Sequence, residues 1–488
     1  MSEPARESME YDVVIVGAGP AGLSAAIRLK QLAAAAGKEV SVCVLEKGSE
    51  VGAHILSGAV IDPISINDLI PDWQALGAPL DTPVTDDRFL YLTEKKSFRV
   101  PNFLFPPLMS NHGCVIASLG AVCRWLASHA EGLGVEIYPG FAAANILYTD
   151  NGAVAGVATG DMGIARDGHH KDAFTPGVDI FGKYTLIAEG VRGSLAKMLM
   201  ARFKLGEGRD VQKFGIGLKE LWQVPKAQHK AGLVVHTMGW PLDDGTGGGA
   251  FTYRFAEDLI SMGFVVHLNY KNPNLSPFEE FQRAKTHPAI AAHLAGGKRI
   301  SYGARAITEG GWQSIPKLAF PGGALIGCSA GFVNLPRIKG SHNAMRSGMQ
   351  AADAAFDALQ TGRARDELSN YEKQLRVGPI ARDLKPVRNV KPLWSKLGTV
   401  LGVGIGGFDM WTNQLFGISL LGTLGHGKAD YQTLVSSAEA APITYPKPDG
   451  KLSFDRLSSV FLSATNHEED QPIHLKLKDS SIPCAVDL

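Results

Sequence analysis

A glycine-rich segment near the start of the chain has the spacing that binds the phosphates of a dinucleotide. Residues 17–22 form a GxGxxG pattern between a strand-like apolar run, 11–16, and an Ala- and Leu-rich helical stretch. The first glycine allows a tight turn, the second lets a pyrophosphate approach the backbone, and the third lets helix and strand pack closely. The helix N-terminus adds unpaired N–H groups and a positive dipole. The residues predicted to contact the dinucleotide here are Gly17, Gly19, Pro20, Ala21 and Gly22.

An acidic residue stands where such a site needs a partner for the ribose. The second apolar run, 40–45, ends at Glu46. Its distance from the last glycine is close to the spacing of about 20 residues that places a carboxylate on ribose hydroxyls. A glycine-rich turn without a ligand would explain the glycines, but not a strand, a helix and an acid in register. We therefore predict a complete βαβ nucleotide-binding unit.

Two later glycine-rich turns follow predicted strands and return to the same sheet. Strand 183–188 ends at an acid-Gly pair, and a later strand leads into the turn 322–331. Such turns bring backbone N–H groups to a cofactor. Three returns to one sheet indicate FAD, with its ring system beside the small residues of 53–60. The further residues predicted to contact FAD are Glu46, Lys47, His54, Ser57, Gly58, Glu189, Gly190, Gly327, Ser329, Gly331, Gly340 and Asn343.

The segment between these turns, 214–270, alternates in short β-like stretches and is predicted to form an antiparallel sheet over the flavin. Within it, Gly247, Gly248 and Gly249 precede a strand. Glycines at this place offer bare backbone to a flat ligand. A flexible hairpin tip is the alternative explanation of the same three residues.

The composition excludes several classes of partner. With 48 basic and 48 acidic residues, the chain has no electrostatic signature of nucleic-acid binding. Its five cysteines are scattered without a CxxC pair, which indicates a reducing compartment and argues against a disulfide framework or a zinc site, so we predict no metal ligands. The first residues lack the apolar core of a secretory signal and are too acidic for a transit peptide, so we expect synthesis in the cytosol.

Two apolar tracts raise the question of membrane contact. Residues 102–109 include two prolines, and residues 397–425 carry a single charge, at Asp409. The second tract is long enough to span a bilayer, but its glycines and polar residues make insertion unfavourable. We expect both tracts to lie in the surface of one leaflet, as in a monotopic protein. The alternative is a core helix packed over an apolar loop.

Six strings in this chain are long and particular enough to identify a family. They are GAGPAGLSAA (17–26), GAHILSGA (52–59), YGARA (302–306), GGWQSIPK (310–317), IGCSAGF (326–332) and ATNHEEDQP (464–472). With them the chain resembles the electron transfer flavoprotein–ubiquinone oxidoreductase family. The resemblance implies a peripheral membrane enzyme that holds FAD and a [4Fe–4S] cluster, takes electrons from reduced electron transfer flavoprotein and reduces ubiquinone in the respiratory chain. It places the enzyme on the cytoplasmic face of a bacterial inner membrane, or on the matrix face of the mitochondrial inner membrane in an organellar form.

The fold implied by the resemblance is α/β. A FAD-binding Rossmann-like domain of the hydroxylase and geranylgeranyl-reductase type is interleaved with an antiparallel-sheet quinone-binding domain. The expected segments are a first FAD-binding segment (1–85), a mixed segment with helix and hairpin (86–185), a second FAD-binding segment (186–212), the ubiquinone-binding domain (213–308), a third FAD-binding segment (309–365) and a helical, membrane-facing region (366–488).

By the same resemblance, Gly248 and Gly249 contact the quinone. This agrees with the chemistry, because a quinone carbonyl needs a backbone N–H donor and only glycine lets a flat ring lie against the chain. The reaction is electron transfer, so the protein orients the flavin and tunes its potential. Gln313 and Ser341 are the predicted tuning contacts. Capping of the following helix is the alternative role of Ser341.

The cysteines do not match the cluster that the family uses. A [4Fe–4S] cluster needs four thiolates, normally with two or three at close spacing. The last cysteine is expected to precede the family's ferredoxin-like region, so we expect the cluster ligands to be absent from this chain. A truncated chain is the favoured explanation, and a cluster on a separate polypeptide or a member that works with FAD alone are the others. The five cysteines are Cys43, Cys114, Cys123, Cys328 and Cys484.

Two other functions share the glycine motifs. A related FAD enzyme that reduces isoprenoid double bonds or hydroxylates a substrate would be driven by NAD(P)H. A non-catalytic flavin-binding subunit would dock a partner without turnover of its own.

Overall fold

Apolar runs of the chain form two large sheets, and one of them carries the glycine-rich turns. The computed structural model describes residues 6–56, 58–465 and 467–473. Both large sheets draw strands from distant parts of the sequence. In the described part of the chain the strands are β1 (Ser8–Val16), β2 (Val42–Glu46), β3 (Ala59–Ile61), β4 (Thr82–Pro83), β5 (Asp86–Leu92), β6 (Ser97–Val100), β7 (Val115–Ala117), β8 (Glu136–Pro139), β9 (Ala143–Tyr148), β10 (Val154–Thr159), β11 (Met162–Ile164), β12 (His170–Thr175), β13 (Asp179–Ile187), β14 (Phe214–Gln223), β15 (Leu233–Gly239), β16 (Gly248–Phe255), β17 (Leu259–His267), β18 (Lys298–Thr308), β19 (Ala319–Phe320) and β20 (Gly323–Leu325).

Helices flank both sheets and build the C-terminal region. Short 3₁₀ turns join several of them, among them Gly327–Ser329 after β20. The α-helices within the described residues are α1 (Pro20–Ala35), α2 (Ile64–Leu69), α3 (Leu119–Gly132), α4 (Ser194–Arg202), α5 (Pro277–Lys285), α6 (Pro288–Leu294), α7 (Ser341–Gln360), α8 (Ser369–Val377), α9 (Pro379–Leu384), α10 (Val390–Phe416) and α11 (Arg456–Phe461).

The first sheet has a parallel centre, as the βαβ unit predicts. Its order is β19–β20–β13–β1–β2–β8, and the five strands from β20 to β8 run parallel. β10 pairs antiparallel with β13, and β9 with β10. Residues Val13–Val16 of β1 are all buried, which is typical of a parallel strand covered on both faces.

Helices α1 and α7 pack closely against each other beside this sheet. A Cβ atom built on Gly348 of α7 would lie 2.1 Å from the carbonyl oxygen of Ala21 in α1. Only a residue without a side chain allows so close an approach of the two backbones. The start of α7 is thereby held near the first glycine-rich turn.

The second sheet contains the predicted antiparallel segment and two further strands. Its order is β18–β14–β17–β16–β15–β5–β6, and all neighbours are antiparallel except β15 and β5, which are parallel. Segment 214–270 forms β14, β15, β16 and β17. Strands β5 and β6 join from residues 86–100, so the sheet is mixed at that edge.

The two faces of the second sheet differ in composition. One face packs under α5 and α6, where Trp222 and Phe281 are fully buried. Because side chains alternate along a strand, Gly215, Gly217 and Lys219 of β14 lie on the opposite face. Along β14 that face therefore carries two glycines in succession, followed by the Lys219 side chain.

Helix α10 is broken near its start. Gly398 lies in the left-handed region, with φ of 81°. Beyond the break, the backbone N–H of Thr399 donates to the carbonyl oxygen of Asp244 at 2.8 Å, and that of Val400 to its carboxylate at 2.9 Å. Asp244 belongs to the loop between β15 and β16, so this loop holds the second part of the helix.

Three charged side chains are buried together between the second sheet and its helices. The Nζ atom of Lys285 lies 2.8 Å from Oε2 of Glu220, and Nη1 of Arg299 lies 3.1 Å from Oε1. The Trp222 indole donates a further hydrogen bond to Glu220 at 2.9 Å. Loss of this carboxylate would leave two buried cations without a counter-ion.

We expect Glu220→Ala to lower the free energy of unfolding by about 3–5 kcal/mol, because it strips the partner from buried charges. The control is Lys226→Ala, which breaks an exposed pair with Glu257. That change should cost less than about 1 kcal/mol. Urea unfolding followed by tryptophan fluorescence would compare both variants with the parent, and equal effects would contradict the prediction.

Candidate functional site

The three glycine-rich turns meet at one edge of the first sheet. β1, β13 and β20 are adjacent and parallel, so the turns that follow them share the edge formed by their carboxyl ends. A Cβ atom built on Gly17 would lie 2.5 Å from the carbonyl oxygen of Ala188, and one built on Gly327 would lie 2.8 Å from Cβ of Ala21. In open α/β sheets this edge is where nucleotides bind.

The first turn has the geometry that its sequence predicts. Gly17 has φ of +110°, and a Cβ atom on Gly22 would lie 2.0 Å from the carbonyl oxygen of Gly17. At Gly19, by contrast, a Cβ atom would meet no described atom within 4 Å. This space adjoins the N-terminus of α1, which starts at Pro20 and has no side-chain cap. The first N–H groups of the helix thus remain for a phosphate.

Glu46 ends β2 beside this turn. Its Oε2 atom accepts a hydrogen bond from the backbone N–H of Ala18 at 3.1 Å, and Oε1 accepts one from Gly48 at 2.8 Å. These bonds fix the carboxylate where the acid of a βαβ site meets ribose hydroxyls. Lys47, the next residue, is exposed.

Glu189 caps a helix in the second turn. Its carboxylate accepts hydrogen bonds from the N–H groups of Leu195 at 3.3 Å and Ala196 at 2.7 Å, at the start of α4. A negative charge at a helix N-terminus is favourable. Gly190, with φ of +80°, has no described atom within 4 Å of a built Cβ atom. The glycine therefore leaves the backbone open to a ligand, while the acid is already paired.

The third turn contains a buried hydroxyl that lacks a partner. The Oγ atom of Ser329 is buried and makes no hydrogen bond with any described residue. The N–H of Gly327 donates to Oγ of Ser347 at 2.8 Å, and Gly331, with φ of +90°, packs against the side chain of Gln212. Because an unpaired buried hydroxyl costs free energy, Ser329 indicates a polar ligand at this turn. With the open space at Gly19, it shows that the crevice fits a dinucleotide cofactor.

Helix α7 starts one residue earlier than a capping role for Ser341 would require. Gly340 is the N-cap and Ser341 the first helical residue, so the alternative in which Ser341 caps this helix is wrong. The side-chain amide of Asn343 donates to the carbonyl oxygen of Phe332 at 3.1 Å and to the carboxylate of Asp383 at 2.8 Å. Asn343 thus ties α7 to the third turn and to α9.

The side-chain nitrogen of Gln313 donates hydrogen bonds to the C-terminal region. Nε2 donates to the carbonyl oxygens of Arg388 at 2.9 Å and Leu424 at 3.1 Å. Its Oε1 atom is buried without a hydrogen-bond partner among the described residues. Only the oxygen of this side chain therefore remains for another group.

Residues near 54–58 join the crevice to the second sheet. The carbonyl oxygen of Gly58 accepts a hydrogen bond from Nζ of Lys219 at 3.0 Å, and that of His54 accepts one from Arg305 at 2.7 Å. Partial burial and the nearby Lys47 ammonium lower the pKa of His54, which favours a neutral imidazole. Ser57, the remaining candidate of this segment, lies outside the described residues.

Lys219 is a candidate site residue that no sequence motif indicated. Burial lowers its pKa to about 8. It lies on the same face of β14 as Gly215 and Gly217, beside Gly58. The signal was present in the alternation of Gly215 and Gly217 with apolar residues, since alternate glycines leave one face of a strand without side chains.

Gly248 and Gly249 begin β16 inside the second sheet, so a hairpin tip is the wrong description. A Cβ atom on Gly248 would lie 2.2 Å from the carbonyl oxygen of Val265, and one on Gly249 would lie 2.1 Å from that of Thr237. Gly248 also has φ of +148°. Close packing against both neighbouring strands therefore favours glycine here, whichever ligand binds.

A cavity of about 300 Å³ lies between the second sheet and the loop 102–112. Its lining includes strand β15, the neighbour of β16. The cavity is therefore one strand away from the paired glycines. Residues that line it include Asp87, Phe89, Phe105, Met109, Asn111 and His236.

The two apolar tracts lie together. The indole N–H of Trp411 in α10 donates to the carbonyl oxygen of Leu104 at 2.9 Å. Within the residues described, no helix is both long and apolar enough to cross a bilayer. Exposed apolar side chains of this surface are Phe103, Leu104, Val400, Leu401, Phe408, Leu415, Phe416, Ile418 and Leu420.

The one charge of the second tract points inward. Asp409 is buried and accepts hydrogen bonds from the side chains of Asn389, at 3.0 Å, and Ser419. These bonds also tie the segment after α10 back to the start of the helix. The exposed surface of residues 397–425 therefore carries no charged side chain.

Comparison with known proteins identifies three regions of the chain. Residues 15–73 match the NAD(P)-binding Rossmann-like domain, residues 214–307 match the family "ETF-QO, ubiquinone-binding", and residues 450–488 match "Electron transfer flavoprotein-ubiquinone oxidoreductase, 4Fe-4S". The chain is 55% identical over 486 residues to the electron transfer flavoprotein–ubiquinone oxidoreductase of Pseudomonas aeruginosa, covering 99% of this chain and 88% of that protein. It is 52% identical to the mitochondrial protein of Mus musculus, covering 98% of this chain and 78% of that one.

Solved structures show the same fold at low identity. A geranylgeranyl bacteriochlorophyll reductase-like protein from Thermoplasma acidophilum has a TM-score of 0.55 at 16% identity, covering 84% of this chain and 97% of its own. The flavin-dependent brominase Bmp2 has a TM-score of 0.54 at 15% identity, covering 84% of this chain and 91% of its own. These likenesses confirm the predicted FAD-binding fold class and extend no further.

One expectation about the iron–sulfur region is wrong. The matched region begins at residue 450, so it starts inside the chain rather than after Cys484. Cys484 is its single cysteine and lies outside the described residues. The other four cysteines lie before residue 329, and the described residues contain no group of three or more His, Cys, Asp or Glu side chains that could hold a metal. These residues do not fit a four-thiolate cluster.

We expect Gly19→Val to weaken FAD binding by about tenfold or more, or at least ~1.4 kcal/mol. The protein itself has room for the new side chain at this position, but a pyrophosphate would lose that room. The control is Gly132→Val at the end of α3, where a Cβ atom also meets nothing within 4 Å. Flavin retained after gel filtration measures the effect, and normal FAD content in the Gly19 variant would contradict the prediction.

Proposed function

We propose which residues of this chain bind FAD and ubiquinone. The chain belongs to the electron transfer flavoprotein–ubiquinone oxidoreductase family. The chain is an oxidoreductase that carries electrons from electron transfer flavoprotein to ubiquinone. Its high identity to named members over nearly its whole length decides against the isoprenoid reductase, hydroxylase and non-catalytic alternatives. The single observation that carries the detailed proposal is the convergence of three glycine-rich turns beneath a glycine-lined sheet face.

FAD held in the crevice would supply the electron-carrying group. Gly17, Gly19 and the N-terminus of α1 bind its pyrophosphate, and Glu46 orients a ribose. The third turn, with Ser329, contacts the flavin end. The glycine-lined face of β14 allows a flat ring to approach closely, and Lys219 on that face can donate a hydrogen bond to it.

The structure limits the roles that Gln313 and Ser341 can have in tuning the flavin potential. Ser341 keeps its proposed role, because it does not cap α7. Both N–H groups of the Gln313 side chain donate to backbone carbonyl oxygens. Gln313 therefore acts on the flavin site in two ways: it positions the segment 210–213, and its buried side-chain oxygen can accept a hydrogen bond. Asp210 donates its N–H to the carbonyl oxygen of Gln313 at 3.1 Å, which supports this linkage.

Gly248 and Gly249 hold the quinone ring in this proposal. Gly249 is only half-buried, although it lies between two strands. The neighbouring cavity reaches the apolar loop 102–112 and so offers a route for an isoprenoid tail. Its lining combines apolar side chains such as Phe89 and Phe105 with polar ones such as Asp87 and His236.

The apolar surface defined above is proposed to lie in one leaflet, so that ubiquinone need not leave the lipid. Its support is the exposed apolar side chains of α10 and the loop 102–109, together with the inward position of Asp409. Burial of such a face in the headgroup boundary is the mode of monotopic proteins. The side concerned is the cytoplasmic face of a bacterial inner membrane, or the matrix face in an organellar form.

We expect the parent protein to reduce a short-chain ubiquinone with reduced electron transfer flavoprotein as donor, and Gly248→Ala to slow this by about tenfold or more, ~1.4 kcal/mol in the barrier. The matched control is Gly156→Ala in β10, where φ is +153° and a Cβ atom would lie 2.0 Å from a neighbouring carbonyl oxygen. Both changes bring a Cβ atom against a carbonyl oxygen of the neighbouring strand, but only one adjoins the proposed quinone. Equal rates in the two variants at equal FAD content would place the quinone elsewhere. Turnover with NADPH alone would contradict the assignment of electron transfer flavoprotein as the electron donor.

We expect Phe103→Asp with Leu401→Asp to release the protein from liposomes of phosphatidylcholine and phosphatidylglycerol. Two charges on the apolar surface must be desolvated there, while FAD content stays unchanged. Met162→Asp with Val377→Asp is the control, since both residues are exposed and lie outside that surface. Sedimentation with the liposomes measures binding. Unchanged binding of the first pair would remove the apolar surface from the interface.

A further inference from the structure

A group of buried ionisable side chains lies beside Gly247, the residue before Gly248 and Gly249. Glu309 follows β18, and its side chain is fully buried. Nζ of Lys391 lies 2.9 Å from its Oε2 atom, and Nε2 of His267 lies 3.5 Å from its Oε1 atom. Gly215 makes room for this carboxylate, because a Cβ atom there would lie 2.1 Å from Oε1.

His267 lies between this carboxylate and the glycines. It ends β17, and the other ring nitrogen, Nδ1, would be 2.1 Å from a Cβ atom built on Gly247. The Trp394 ring packs against the imidazole at a centroid distance of 4.6 Å and holds it in place. One nitrogen of the ring thus faces the glycine segment 247–249, and the other faces Glu309.

A second ion pair, slightly exposed at Asp430, acts electrostatically on this group. Nζ of Lys213 lies 2.8 Å from Oδ1 of Asp430, whose side chain is 11% exposed. Lys213 and Asp430 both act electrostatically on Glu309 and on Lys391. The charged and polar groups that act on Glu309 and His267 or on their partner Lys391 are Lys213, Asn269, Lys391 and Asp430, and His426 lies in the field of Lys213 and Lys391.

The protonation states of the group suit proton transfer. Burial raises the pKa of Glu309, although Lys391 opposes the shift, and burial lowers the pKa of His267 and of Lys391. A carboxyl group with a raised pKa can carry a proton, and a neutral imidazole can pass one on. These directions favour a neutral carboxyl group on Glu309 beside a neutral imidazole on His267.

Quinone reduction needs a proton donor, because a quinone that gains two electrons also gains two protons. We propose that His267 delivers one of these protons to the quinone oxygen and that Glu309 resupplies it. The inference rests on the proposed function, and specifically on a quinone held at Gly248 and Gly249. His267 is then a catalytic residue, and Glu309 is a positioning and relay residue that acts through it.

A new O–H bond forms on the quinone oxygen while the Nδ1–H bond of His267 breaks, and Nε2 of the same ring takes the proton of Glu309. The imidazole stays neutral, and Glu309 becomes a carboxylate beside the Lys391 ammonium group. One proton from solvent then restores Glu309, and proton exchange resets the ring tautomer. Both electrons come from electron transfer flavoprotein through FAD, and the second proton reaches the other quinone oxygen separately.

The test compares an acceptor that needs protons with one that does not. Holoenzyme carrying His267→Gln, reduced by electron transfer flavoprotein, should reduce short-chain ubiquinone at least about tenfold more slowly, ~1.4 kcal/mol. The rate with ferricenium ion, which takes one electron and no proton, should stay unchanged. His293→Gln is the matched control, because His293 contacts Arg254 on the other face of the sheet, and it should leave both rates unaltered. Equal quinone rates in His267→Gln and the parent would overturn the proposal.

Glu309→Gln alone leaves Lys391 buried without its counter-ion, so the double variant Glu309→Gln with Lys391→Met keeps the cluster neutral. In the parent, the quinone rate should rise as pH falls through the raised pKa of Glu309, because only the protonated carboxyl group can give a proton. In the double variant this dependence should be lost. A pH profile like that of the parent would overturn the relay. A parent enzyme that reduces ferricenium but no quinone would instead overturn the proposed quinone site, so the two failures are distinct.

Discussion

The close approach of backbones at the first glycine-rich turn is the constraint on which the rest depends. Gly17 meets the carbonyl oxygen of Ala188 from β13, and Gly22 meets Gly17 itself, at distances that exclude any Cβ atom. Because β1, β13 and β20 must end side by side for their turns to share one crevice, a side chain here would separate strands that are distant in sequence. The same contacts leave Gly19 open, so the tight and the open positions of one short turn together define the phosphate site.

Helix α10 connects the exposed apolar surface with the buried charges around Glu309. Outward it exposes Leu401 and Phe408, and inward it places Lys391 and Trp394 in the buried cluster. Its break is held by Asp244, which lies in the loop that leads to the paired glycines. Hydrogen bonds rather than a long flexible segment therefore connect the exposed part of the helix with that loop.

The sequence predicted what is local and missed what depends on strand pairing. Strand, turn, helix and Glu46 follow one another along the chain, so their mutual geometry could be inferred from spacing alone. The partner of Gln313 could not, because Arg388 and Leu424 lie far away along the chain and their carbonyl oxygens give no sequence signal. Glu309 was missed for the same reason. Its neighbours come from β14, β17 and α10, and only the register of these elements brings them together.

The surroundings of β16 explain how one site can admit both an apolar substrate and protons. Its two flanking strands have opposite characters: β15 borders the cavity that reaches the apolar loop, whereas β17 ends at His267 and the buried charges. Gly249 lies between them, against Thr237 of β15 and opposite Val265 of β17. On the proposed assignment the quinone tail and the protons arrive from different sides of one strand. Water that supplies the protons therefore need not pass through the cavity that the tail occupies.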